Sequence, residues 1–147
     1  MDNILVGIDF LNDTETIIEY AFKLAKIQKS KIWLLHIVGP DPDFVSFEAG
    51  PQSERELLAE ELKEKKRELA GYAKQLKESG IDSEALLIQG ATIKALLKKS
   101  EELNIDLMIL GHRKRGSLFK IFFDSTAKKI MGKTDLPILI IPLRGSN

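Results

Sequence analysis

The residues whose types and spacing best suit chemistry lie between Leu107 and Thr126. The apolar run Leu107-Met108-Ile109-Leu110 ends at Gly111, and a basic stretch with His112, Arg113, Lys114, Arg115 and Lys120 follows. Asp124-Ser125-Thr126 then has the residue types that open a helix. A strand passing through a glycine and a loop into a helix start is a way to hold an anion. The first amides of a helix lack partners, and its dipole favours negative charge there. Seven Lys and Arg stand between Gly111 and Lys133 against one acid, Asp124, in a chain whose 22 Lys+Arg match its 22 Asp+Glu. The positive charge is therefore local. It is open to three readings: a solvated surface loop, a contact for phosphate, or a docking patch for an acidic partner.

A second candidate is Asp9, which follows the apolar run Ile4–Ile8. A carboxylate at a strand end accepts hydrogen bonds from a ribose or an amine, or holds a metal-bridged phosphate; it equally serves as a turn residue capping the next helix. Other residues speak against catalysis. The chain has no cysteine, which removes thiolate nucleophiles, thiolate metal sites and disulfides. His36 lies inside a buried strand pattern and reads as a hydrogen-bonded structural histidine. His112 has no carboxylate or serine that spacing would place beside it, and Ser125 has no visible base, so triad chemistry is unsupported. His, Asp and Glu do not recur at metal-ligand spacing. The charge run from Glu61 to Glu68 reads as a solvated helix face. Trp33, Phe119, Phe122 and Phe123 read as core or interface.

These residues need elements to position them. Ile4–Ile8, Ile32–Val38, Ser83–Ile88, Leu107–Leu110 and Leu136–Pro142 are nearly all-apolar runs, the pattern of strands buried on both faces. Helical periodicity covers Thr16–Gln28, Glu54–Ser79 (closed by Gly80), Thr92–Leu103 and Ser125–Met131. Residues 39–53, with Pro40, Pro42 and Pro51, read as a long loop, and residues 143–147 as a tail. Alternating strands and helices over 147 residues imply one α/β domain, 1–147, built on a five-stranded, doubly wound parallel sheet. Ligands bind such sheets beyond the carboxyl ends of the strands, where the strand order reverses, which singles out Asp9, Ile37 to Gly39, and Gly111. Balanced charge argues against nucleic acid and a membrane surface as partners. MDNILVGIDF lacks a secretory signal and no apolar run approaches the roughly 20 residues of a membrane span, so a cytoplasmic location is expected.

In the order and spacing of ILVGIDF, LLHIV, IQG, DLMILGHRKRGSLFKIFFDSTAKKI and LPILIIP, the chain resembles the universal stress proteins over almost its entire length. The resemblance implies a flavodoxin-like (adenine nucleotide alpha-hydrolase-like) sandwich. It also implies a homodimer paired through the last strand, here Pro137–Pro142. Many members bind ATP or another adenine nucleotide with a motif of glycine, two residues, glycine, nine residues, glycine, then serine or threonine. On this sequence those positions are Gly111, Lys114, Asp124 and Ser125, so the first glycine and the hydroxyl are kept and two glycines are lost. Asp9 and Ile37 match positions that contact the nucleoside. The resemblance thus implies a site of Asp9, Ile37, Gly111, Lys114, Ser125 and Thr126 for ATP or AMP, with Asp124 as its possible blocker. Lysine at 114 crowds the backbone but brings a cation that phosphate can use. Asp124 would cap the amides of Thr126 or Ala127, the donors a phosphate needs, and repel a second anion. The expectation is a non-catalytic, dimeric regulatory module of the stress response, with an unidentified protein partner and weakened or absent ATP binding. The alternative is an adenine-nucleotide sensor using the Gly111–Ser125 loop. A slow nucleotide hydrolase is the weakest reading, since no base, nucleophile or metal constellation can be named.

Overall fold

The structure, a computed structural model, describes residues 1–10, 13–38, 52–89, 92–113 and 130–143. Its elements are β1 (Asn3–Gly7), α1 (Thr14–Gln28), β2 (Lys31–Val38), α2 (Gln52–Glu78), β3 (Ser83–Gln89), α3 (Thr92–Glu102), β4 (Leu107–Arg113) and β5 (Ile138–Leu143). The strands form one sheet in the order β3-β2-β1-β4-β5, with every pairing parallel. This is the expected five-stranded, doubly wound α/β sheet.

The continuous apolar runs exist because both sheet faces are covered. On one face Ile4, Val6, Ile8, Ile32, Leu34 and Ile109 pack with Ile17, Ala21 and Ala25 of α1 and Leu69, Ala73 and Leu76 of α2. On the other, Leu5, Leu35, Met108 and Leu110 pack with Leu96 of α3 and with Ile130. Successive strand residues point to opposite faces, so alternate members of each run feed separate cores. Each fully buried Leu or Ile contributes about 1.5–3 kcal/mol by leaving water.

Helices α1, α2 and α3 end alike. Lys29 (φ 56), Gly80 (φ 90) and Asn104 (φ 52) adopt left-handed backbone. In each case the next amide reaches back five residues: Ser30 to Ala25 at 3.0 Å, Ile81 to Leu76 at 2.9 Å, and Ile105 to Ser100 at 2.9 Å. This Schellman geometry satisfies orphan carbonyls and turns the chain straight into the next strand. Buried Ser83 donates from Oγ to the Ala73 carbonyl at 2.6 Å, fastening β3 to α2. Trp33 is half-buried, donates from its indole to Asn3 Oδ1 at 3.0 Å, and lies under Lys31.

Several boundaries differ from the sequence pattern. Helix α2 begins at Gln52, so the 39–53 loop stops by Pro51, and residues 39–51 lie outside the described ones. Strand β4 runs on to Arg113, because His112 and Arg113 pair with Pro142 and Leu143. Leu143 is strand and 2% exposed, not tail. A strand's extent follows the partner it pairs with as much as its own apolarity. Of the helix expected over Ser125–Met131, Ile130 and Met131 are described, and both are helical.

Candidate functional site

The chain leaves β1 for β2 on one side of the sheet, while β4 lies on β1's other side. The strand order therefore reverses between β1 and β4, and in such sheets the crevice that takes a ligand lies beyond the carboxyl ends of the strands at that point. Registers determine which residues meet there. Val6 pairs with Ile109, so two residues further on Ile8 is level with Gly111. Gly7 pairs with Leu35, and the Ile8 amide donates to the Leu35 carbonyl at 2.8 Å, which carries the β1–β2 ladder past the strand's end. Asp9 follows Ile8 out of the strand, at the same end of the sheet as Ile37 and Gly111. These three residues, far apart in sequence, thus share the switch-point end of the sheet. Lys114, Asp124, Ser125 and Thr126 lie outside the described residues, as does the capping role expected of Asp124.

Gly111 has a packing reason to be glycine. A Cβ there would stand 2.6 Å from Leu143 Cδ1 and 2.8 Å from Ile17 Cδ1. Both side chains are almost fully buried, so α1 and β5 close over this point of β4 only because no side chain is present.

Asp9 sits in a turn gripped from behind by His36. The His36 Nδ1 lies 2.7 Å from the Ile8 carbonyl oxygen. A carbonyl only accepts, so Nδ1 carries the hydrogen and donates. The Phe10 ring meets the imidazole edge-on, with centroids 4.9 Å apart and planes at 70°. Burial, above all, holds the His36 pKa below its usual value of 6.5, and the Lys65 charge adds to this; the Ile8 bond and Asp9 oppose it. The imidazole is therefore neutral near pH 7.

His36 is hydrogen-bonded and buried, as its strand pattern implied, but its contact with both neighbours of Asp9 had no signature in the sequence. The charge run of residues 61–68 is a solvated face, with Glu61, Lys63, Glu64, Lys66, Arg67 and Glu68 exposed; within it Lys65 is half-buried, and its charge acts on His36. Among the described residues no cluster of three or more His, Asp or Glu could hold a metal, and no helix is long and apolar enough to cross a membrane. Among the described residues, grooves also lie away from the switch point. One runs between α1 and α2 over Ile18, Phe22 and Tyr72, and one surrounds Lys26, Lys29 and Asp82 at the amino ends of the strands. The crevice can offer a carboxylate acceptor at Asp9, an apolar wall at Ile37 and exposed strand-end backbone, which suits binding a molecule with hydroxyl or amino donors beside a flat apolar face.

The chain is similar to known proteins over nearly its whole length. A universal stress protein of Methanocaldococcus jannaschii is 21% identical over 155 residues, spanning 97% of this chain and 96% of that protein. Its solved structure matches with a TM-score of 0.77, covering 99% of this chain and 98% of the other. The universal stress protein of Archaeoglobus fulgidus in complex with dAMP matches with a TM-score of 0.63 at 17% identity, covering 96% and 98%. A universal stress protein in complex with cAMP matches with a TM-score of 0.61 at 16% identity, covering 96% of each chain. These likenesses establish the fold. The universal stress protein family model matches residues 1–142, nearly the whole sheet and both helical layers, so this chain belongs to the universal stress protein family.

Proposed function

We propose that this chain is a non-catalytic, cytoplasmic regulatory protein of the stress response. Its switch-point crevice takes the nucleoside part of an AMP-type ligand and holds ATP weakly or not at all. The observation that carries this reading is that Asp9, just past the end of β1, lies at the same end of the sheet as Ile37 near the end of β2 and Gly111 in the last part of β4. Two family members of the same fold are complexes with nucleoside monophosphates, dAMP and cAMP. Lys114 and Asp124 occupy the two glycine positions of the triphosphate motif. Lysine supplies one cation for a single phosphate, with Ser125 and Thr126 as further donors, while the Asp124 carboxylate opposes additional negative charge. Like charges about 4 Å apart repel by about 1 kcal/mol in water and about 4 kcal/mol near a protein surface. Repulsion of that size weakens ATP relative to AMP by about tenfold or more. No nucleophile–base pair can be named to hydrolyse either. Dimerisation through Pro137–Pro142 is part of the same reading: β5 is a sheet edge that exposes Ile140 and Pro142.

Calorimetry with AMP, cAMP and ATP on the purified protein tests the proposal. AMP is expected to bind at least about tenfold tighter than ATP, and Lys114→Gly combined with Asp124→Gly is expected to raise ATP affinity. Near-stoichiometric ATP released from the purified protein would overturn weak ATP binding. No gain from the double change would clear Asp124 as the blocker.

A further inference from the structure

We propose that His36 is the positioning residue of the nucleoside site, holding Asp9 in place by gripping the residues on both sides of it; this rests on the nucleoside-binding reading above. The imidazole donates from Nδ1 to the Ile8 carbonyl and packs edge-on against the Phe10 ring. Asp9 stands between those two contacts. A single side chain on β2 therefore sets the direction in which the β1–α1 turn presents its carboxylate.

Two features argue that this grip does more than fill space. Phe10 has φ 62, a left-handed backbone that strains a non-glycine residue. Strain of that kind persists where surrounding contacts over-determine it, and it gathers at ligand sites. The Phe10–His36 contact is one such determinant. Secondly, the positions that share His36's sheet face on β2 are Ile32 and Leu34, both buried aliphatics. An aliphatic at 36 would continue that pattern without desolvating a ring nitrogen. The one imidazole on this face of β2 sits where it touches the turn that carries Asp9.

The grip also senses protons. With Nδ1–H committed to Ile8, a second proton must enter at Nε2, placing charge in a buried position. Two charged groups act on it: Lys65 from α2, which opposes protonation, and Asp9 from the turn, which favours it. A charged imidazole draws Asp9 toward itself and away from a ligand. Affinity for the nucleoside is then highest above the ordinary histidine range of about 6.5 and falls as pH drops below it.

The test uses adenosine, which has no phosphate to titrate, with calorimetry on the full chain between pH 8 and pH 5.5. Wild type is expected to lose at least about threefold in affinity across that interval, within the reach of a single histidine titration. His36→Leu is expected to bind at least tenfold weaker at pH 8 and to show no pH dependence. His36→Gln, whose amide can still donate to Ile8, is expected to regain most of the pH 8 affinity while remaining flat with pH. Wild-type affinity from a folded His36→Leu, or wild-type pH dependence in His36→Gln, overturns the proposal. If His36→Leu does not fold, the glutamine variant and the wild-type pH profile decide. If wild type binds no adenosine at any pH, the nucleoside reading falls, and hydrogen exchange at the Ile8 and Phe10 amides judges the grip by itself. A protection factor, the exchange rate taken relative to the intrinsic rate at the same pH, at least about tenfold lower in His36→Leu than in wild type at pH 8 supports it; equal protection overturns it.

Discussion

Gly111 has a role in packing whatever it does for a ligand. The resemblance to the universal stress proteins implied its place in a nucleotide motif, but could not reveal that Ile17 and Leu143 leave no room for a Cβ. Retention of this glycine is therefore not by itself a sign of nucleotide binding. Gly111→Ala is expected to lower stability by about 1–3 kcal/mol through overpacking. The opposing case is Gly71, on the exposed side of α2, where an added Cβ meets nothing within 4 Å. Gly71→Ala is expected to stabilise by about 0.5–1 kcal/mol. Urea unfolding of the pair reads both signs, and loss of stability in both would refute the packing account of Gly111. Asp9 was equally legible as a candidate, though not its choice between capping and binding, because that depends on which strand ends stand beside it.

At the scale of elements, the start of β1 is tied to the connection that leads into β4. Asp106 Oδ2 accepts the amides of Asp2 at 2.7 Å and Asn3 at 2.9 Å, and the Asp106 amide donates to the Asn3 carbonyl at 2.9 Å. The bond from Asn3, then that from Asp2, holds the Asp106 pKa below its ordinary 3.8, with the chain's terminal amine adding to the effect. A depressed carboxyl pKa means that the unfolded chain binds the proton first, so this stabilisation is fully present above the ordinary value and is lost as pH falls from there through the lowered folded-state value. Asp106→Asn is expected to melt at a lower temperature than wild type at pH 7, with the gap closing below about pH 4. A gap that stays constant from pH 7 to pH 3 would show that the charge on Asp106 plays no part. The strands and helices themselves were readable from apolar runs and periodicity. Their ends were not, because β4 extends through polar His112 and Arg113 only where β5 supplies partners.

For the whole molecule, the sheet has two edges, β3 and β5, and β5 presents Ile140 at 40% exposure beside exposed Pro142. An apolar edge strand invites pairing with another chain unless it is blunted. Sedimentation of wild type is expected to give about twice the 16.5 kDa chain mass. Ile140→Lys, which places a charge at the centre of that edge, should return it to 16.5 kDa. A wild type that sediments as monomer would remove β5 as an interface.

The sequence by itself determined the class of the fold, the number and type of most elements, the absence of cysteine chemistry and the local excess of positive charge. These follow from short-range pattern: which residues are apolar, at what period, and beside which turn formers. Only the tertiary structure decided that β1 lies between β2 and β4, and hence that Asp9 leaves the sheet at the end where Ile37 and His112 stand. It alone showed that α1 and β5 close over Gly111, and that His36 holds both neighbours of Asp9. Strand order, register and helix docking join segments many residues apart. Each is set by the packing of whole faces against one another, which no local window of sequence contains.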